Sequence, residues 1–113
     1  MAFRGDIEAL ILASLGDGPK FGYDIARFVK EKSGKVLKLG EGQLYPVLHR
    51  LERQGQVASK WELPKGKTPR KVYQLSELGA KSLEVKRKAW KEFVKGVEGV
   101  LSAASAKPEA AHG

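Results

Sequence analysis

The stretch Glu41-Gly42-Gln43-Leu44-Tyr45-Pro46-Val47-Leu48-His49-Arg50-Leu51-Glu52-Arg53-Gln54-Gly55 decides how the rest of this chain is read. Leu44, Val47, Leu48 and Leu51 fall at i, i+3, i+4 and i+7, one apolar stripe of a short amphipathic helix. At about 100° per residue the opposite face carries Gly42, Pro46, His49 and Arg53, flanked by Gln43, Tyr45 and Arg50. Pro46 belongs in the first turn or so, because deeper in a helix its ring strikes the carbonyl four residues back. The helix therefore starts near Glu41 to Gln43, and Gly55 stops it as a left-handed cap residue. An exposed N-terminus surrounded by Gln, Tyr, His and Arg suits a recognition helix entering a DNA major groove. Taken alone, the stretch fits an ordinary surface helix with a solvated polar face better. Its neighbours reverse that balance.

The chain has 113 residues, enough for one small domain and an appendage. A core of this size is marginal, so self-association is a natural source of further burial. Hydrophobic residues make up 42% and charged residues 30%, a globular composition. Twenty-one Lys and Arg against 13 Asp and Glu leave a net charge of +8 and a pI near 9.8. That excess points to a polyanionic partner, nucleic acid first and anionic membrane second. There is no cysteine, which rules out disulfides and thiolate chemistry. The N-terminus lacks the pattern of a signal peptide, and no apolar run reaches the length of a membrane span. A cytoplasmic protein is expected.

Outward from the opening stretch, residues 4–15 read as a first helix. Ile7, Leu10, Ile11 and Leu15 share a face, widened by Leu12 and Ala13, as if the helix touched more than one neighbour. Gly16-Asp17-Gly18-Pro19 ends it. Residues 22–32 read as a second helix, closed by Ser33-Gly34, with Ile25, Ala26 and Val29 inward. An extended connector, Val36 to Gly40, leads into the recognition helix. After Gly55 the period changes to two: residues 57–63 and 70–75 read as strands joined by a turn with two prolines and a glycine. The turn and its exit carry Lys65, Lys67, Arg70 and Lys71 and no acid, which suits contact with phosphate oxygens. A solvated hairpin with edge-protecting lysines is the plainer reading.

Ser76 caps a last helix, about Glu77 to Leu101. Leu83, Trp90 and Val97 are spaced by seven, as are Val94 and Leu101, and Phe93 and Val100 broaden the seam. A seam of that length needs a partner, either a second copy or the chain's own first helix. Three helices and a hairpin make a winged helix-turn-helix, mainly α with a small β-hairpin. The expected division is a DNA-binding winged-helix domain over 1–76, a dimerisation helix over 77–101 and a frayed tail over 102–113.

In this order the motifs resemble the PadR family of bacterial transcriptional regulators. The residues that carry the resemblance are Gly5-Asp6-Ile7-Glu8-Ala9-Leu10-Ile11-Leu12, Phe21-Gly22-Tyr23-Asp24-Ile25, Leu44-Tyr45-Pro46-Val47-Leu48-His49-Arg50-Leu51-Glu52 with Gly55, Trp61, and Arg70-Lys71-Val72-Tyr73-Gln74-Leu75-Ser76-Glu77-Leu78-Gly79. The resemblance implies a homodimer that binds a palindromic operator on double-stranded DNA, usually as a repressor, with wings on flanking phosphate or minor groove. Gln43 stands where a threonine is more usual, Pro69 where an arginine is, and Val72 where a tyrosine is. In short members that sense drugs, a tryptophan on the last helix faces its symmetry mate and sandwiches flat aromatic ligands. Trp90 falls at that position. An indole at a seam can stack on planar molecules, and it serves equally as an interface anchor.

The expected DNA contacts are Gln43, Tyr45, Pro46, His49, Arg50 and Arg53 from the recognition helix, with Lys65, Lys67, Arg70 and Lys71 on phosphates. A small aromatic effector is expected at Trp90, Ala9, Ala13 and Val94. The dimer seam is expected at Leu83, Trp90, Phe93, Val94, Val97 and Leu101. The alternative is a winged-helix module that binds RNA or a protein, although paired exposed aromatics on a sheet are missing from the sequence. No cofactor is expected. A metal role for His49 has no support, because the only other histidine is His112 in the tail. The sequence also holds no glycine-rich phosphate loop and no Ser/His/acid constellation, so an enzyme is not expected.

Overall fold

The computed structural model describes residues 5–66 and 68–104. The elements run α1 (Gly5–Gly16), β1 (Lys20–Phe21), α2 (Gly22–Lys32), α3 (Glu41–Arg53), β2 (Val57–Glu62), β3 (Arg70–Leu75) and α4 (Glu77–Ala103). This is a winged helix-turn-helix with one long C-terminal helix, and each expected helix and strand is present. Arg4, Lys67 and the chain from residue 105 onward, His112 included, lie outside the described residues. The last helix runs to Ala103, two residues past the expected Leu101.

α1 is the centre of the core. Ile11 and Leu12 are fully buried, Leu15 nearly so, and they meet Ile25 of α2, Leu44, Val47, Leu48 and Leu51 of α3, and Val57, Tyr73 and Leu83. Leu10, which the periodicity puts on the inner face with Ile7, is only half-buried. The fully covered positions are instead Ile11, Leu12 and Ser14, whose hydroxyl donates to the Ile11 carbonyl at 2.9 Å. A helix packed by α2, α3, α4 and β3 has a broad buried arc, and Ile7, Leu10 and Ala13 sit at its edge.

α3 buries the expected stripe, Leu44, Val47, Leu48 and Leu51. It ends as a Schellman motif. Gln56 N–H donates to the Leu51 carbonyl at 2.9 Å and Gly55 N–H to Glu52 at 3.0 Å, with Gly55 at φ 75°. Pro46 is the sixth residue of the helix rather than a first-turn residue. Its missing N–H leaves the Gly42 carbonyl without its helical donor, on the exposed face where water reaches it.

The sheet has three strands in the order β1-β3-β2, all antiparallel. The two-residue β1 is too short to show an alternating pattern in sequence. It pairs Lys20 with Tyr73 and Phe21 with Val72, which makes β3 the central strand. Val72 and Tyr73, successive residues that point to opposite faces of β3, are both buried, at 7% and 2% exposure, and Tyr73 belongs to the core cluster.

The hairpin hands over to α4 through a clamp. Ser76 Oγ accepts from Gly79 N–H at 3.0 Å and donates to the Gly55 carbonyl at 2.6 Å, so one hydroxyl caps α4 and ties it to the end of α3. A Cβ on Gly79 would lie 2.0 Å from the Gln56 carbonyl oxygen, so only glycine lets the two backbones meet. Gly79 is thus a contact point between α4 and the end of α3. Beyond it α4 leaves the domain. Of its 27 residues only Gly79 and Leu83 are buried, and the described residues extend over 72 × 27 × 21 Å.

Candidate nucleic-acid interface and helical arm

Pro46, His49 and Arg53 lie exposed along one face of α3, as their spacing predicts. The other recognition-helix residues divide into different tasks. Gln43 is exposed, and its Oε1 accepts from Gly40 N–H at 3.4 Å, folding the side chain back over the start of the helix. Tyr45 is half-buried. Its phenol lies over Gly22 so closely that a Cβ there would sit 2.5 Å from the hydroxyl. That contact explains the Gly22–Tyr45 pair physically, and it makes Tyr45 a strut between α2 and α3 as well as a wall of the groove. Arg50, expected on DNA, turns to α1 instead: its Nη2 is 3.6 Å from Glu8 Oε2. Glu8 is the nearest carboxylate, and its side chain is only 18% exposed, so it gains by holding a cation.

The wing departs from expectation in a similar way. Lys65 is exposed at the turn. Arg70 is exposed and its guanidinium stacks 4.0 Å from the centre of the Phe21 ring, held ready by an aromatic face. Lys71 is not a free tip cation. It is half-buried, with Nζ 3.6 Å from Glu52 Oε1. Ser59 Oγ donates to the other oxygen of the same carboxylate. Glu52 thus pins the α3-facing side of the hairpin to the recognition helix. Tyr73 lies beside this pin, and its phenol is pushed above the usual value by burial first and by the Glu52 charge second. It stays neutral.

Between α3 and the hairpin lies a groove of about 510 Å³. Tyr45 and His49 form one wall and Trp61 and Arg70 the other, with Phe21 and Tyr23 at the α2 end. No carboxylate lines it. Tyr23 and Trp61 are 72% and 68% exposed, unusual for large aromatic side chains with a core available. Sequence reasoning did not place Phe21 or Tyr23 here, because the turn that brings them to the wing depends on β1.

On the arm, Leu83 is a correction. Expected at the seam, it is 7% exposed and packs in the protomer's own core, its Cδ2 being 3.2 Å from where a Cβ on Gly16 would be. Further along, Trp90, Val97 and Leu101 are 44%, 39% and 68% exposed. Phe93 and Val94 are half-buried, and the Trp90 and Phe93 rings lie 5.6 Å apart at 30°. A cavity of about 520 Å³ opens between α1, the 37–39 connector and α4. Ala9, Ala13 and Trp90 line it together, and Gln43 reaches it from α3. Val94, a turn further out on α4, does not line it. Lys38, Lys86 and Arg87 stand around it, Arg87 sharing its charge with Glu84 at 3.3 Å. Among the described residues, no group of three or more His, Cys, Asp or Glu could hold a metal ion, and no helix is long and apolar enough to cross a membrane.

The model of the transcriptional regulator PadR-like family matches residues 11–85, from the middle of α1 through the wing into α4. The chain belongs to this family. It is a PadR-like winged-helix transcriptional regulator, not an enzyme. Its relatives include the negative transcriptional regulator PadR of Bacillus subtilis, 32% identical over 77 residues, which are 68% of this chain and 42% of that protein. A transcriptional regulator from Clostridium thermocellum superposes with a TM-score of 0.77 at 26% identity, over 85% of this chain and 93% of that one. Bacillus subtilis PadR, solved in complex with operator DNA, superposes with a TM-score of 0.64 at 29% identity, over 70% of this chain and 46% of that one. The PadR-like match ends at Val85, so the outer arm of α4 lies beyond the matched residues.

Proposed function

We propose that this PadR-like regulator is a homodimeric repressor of a palindromic operator. The observation that carries the reading is the pairing of an exposed Pro46-His49-Arg53 face with an acid-free groove and Arg70 beside it. In this reading α3 enters the major groove, and the 57–75 hairpin, with Lys65 at its turn, reaches the flanking backbone. Arg50 and Lys71, held by Glu8 and Glu52, serve position more than direct contact. The arm joins the two copies. From Glu84 onward none of its described residues is buried, and Val97, Val100 and Leu101 present an exposed apolar surface that a second copy would cover. Repression is supported by the negative regulator among its relatives, and binding at an operator by the complex solved for that protein.

A small flat aromatic effector fits the cavity at Trp90, where Ala9 and Ala13 leave room beside the indole. Gln43 and the connector, both lining it, give an occupant a route to the first turn of α3. The test is a titration of the duplex upstream of the protein's own gene against a scrambled competitor, at low and moderate salt. Preference for the intact inverted repeat, with log affinity falling steeply against log salt, supports the reading. Equal affinity for both duplexes, or stronger binding to structured RNA, refutes operator recognition. Trp90→Ala should abolish any effect of aromatic compounds on that binding; a persistent effect moves the effector site elsewhere.

A further inference from the structure

We infer that the groove between α3 and the hairpin seats one sugar–phosphate strand of the duplex, and that Trp61 is its apolar positioning contact. The inference rests on the DNA-binding reading above. In a winged helix with its recognition helix in the major groove and its hairpin toward the adjacent minor groove, the strand that separates the two grooves must pass between those elements. The groove of about 510 Å³ lies there.

The register of the hairpin shows why Trp61 faces this space. Ser59 pairs with Tyr73 and Trp61 with Lys71, so all four side chains share one face. Ser59 and Lys71 both reach Glu52, which identifies that face as the one turned to α3. Trp61 is one step further toward the tip, past the pin; the Lys71 ammonium lies 6.0 Å from its ring centre, and the indole is still 68% exposed against 2% for Val57 at the inner end of the same strand. Lys71, Arg70, His49, Tyr45 and Tyr23 line the groove with it. The chemistry of this set matches a nucleic-acid backbone. Arg70 supplies charge to phosphate, the indole supplies an apolar plate for deoxyribose, and the indole N–H is a single donor. Glu52 of α3 is already engaged by Ser59 and Lys71, and no carboxylate among the described residues lines the groove.

A sugar contact carries no counterion, so the two contacts separate by salt dependence. The probes are a duplex selected from a random pool by the wild-type protein and a scrambled duplex of the same composition. Trp61→Ala should weaken binding to both by about tenfold, an effect of the size that burying part of an indole supplies, with the salt slope unchanged. Trp61→Phe should keep most of the affinity. Arg70→Ala should flatten the salt slope by about one unit. The chain has two tryptophans, so Trp90→Phe leaves Trp61 as the only indole, and its emission should change on adding duplex. Wild-type affinity in Trp61→Ala, a flattened slope in that variant, or a change confined to the selected duplex overturns the assignment, as does unchanged emission. A wild-type protein that enriches no duplex from the random pool overturns the DNA reading, and this assignment with it. Trp61 is exposed, and far-UV circular dichroism of each variant checks that the fold is intact.

Discussion

Replacing Gly79 by alanine should loosen the joint between the recognition helix and the arm, although alanine is the better helix former. In a helix interior the change gains about 1 kcal/mol. Here the new Cβ would lie 2.0 Å from the Gln56 carbonyl oxygen and 2.8 Å from Leu75 Cδ1. Ordinary contact needs about 3.4 Å or more, and the obstacle at Gln56 is backbone, which has no rotamer to yield. Overpacking of this kind costs roughly 1–3 kcal/mol. Moving the backbones apart also strains the Ser76 cap and its bond to the Gly55 carbonyl, worth about 1 kcal/mol each. The net loss is about 2–4 kcal/mol, or roughly 10–25 °C in Tm for a domain of this size. Gly42→Ala is the control, since a Cβ there meets nothing within 4 Å. It should be neutral or stabilising by up to about 1 kcal/mol. Thermal denaturation at one fixed protein concentration reads both. Equal shifts in the two variants, or an unchanged Tm for Gly79→Ala, would show that the contact between Gly79 and Gln56 does not constrain the joint.

The bridge between α1 and α3 should appear in a double-mutant cycle. Arg50→Ala and Glu8→Ala should be non-additive by about 0.5–1 kcal/mol in urea denaturation, the range for a partly exposed pair. Additive losses would put Arg50 back among the free cations of α3. Leu83 and Val97 should behave oppositely on the arm. Leu83→Ala should cost about 2–3 kcal/mol of stability and leave the dimer constant unchanged, because Leu83 packs in its own protomer's core. Val97→Asp should leave the winged-helix core intact and raise the dimer dissociation constant at least about a hundredfold, through a charge buried at the seam. Sedimentation equilibrium distinguishes them, and a dimer indifferent to Val97→Asp would place the seam elsewhere.

The signals that were legible are local ones. The Leu44-Val47-Leu48-Leu51 stripe, the Gly55 stop, the Ser76 cap and the change of period after Gly55 each act within a few residues, so chain order alone displays them. The polar face of α3 was legible as a set. The partner each polar side chain takes was not. Glu8 and Arg50 are 42 positions apart in the chain, and Glu52 meets Lys71 and Ser59 only after the hairpin folds back onto α3. The seam showed the same limit, since Leu83, Trp90 and Val97 are equivalent by spacing, and only the packing of α1 decides which of them is already covered. Ala9, Ala13 and Trp90 do share a cavity; Val94 fits their spacing and misses it by one turn.

Local sequence determined the four helices, the two hairpin strands and their order, and with them the winged-helix architecture; the two-residue β1 was not among the legible elements. Helix, strand and turn preferences and the apolar periods are set by neighbouring residues and need no distant partner. Tertiary structure alone decided which cations are free for phosphate and which are bound to a carboxylate. It also decided that β3 is the central strand, that Gly22 and Gly79 are contact points, and that Trp61 stands over an acid-free groove. These outcomes depend on distances between segments remote in the chain. Coulombic pairing and steric exclusion act over a few ångströms of space, whatever the separation in sequence.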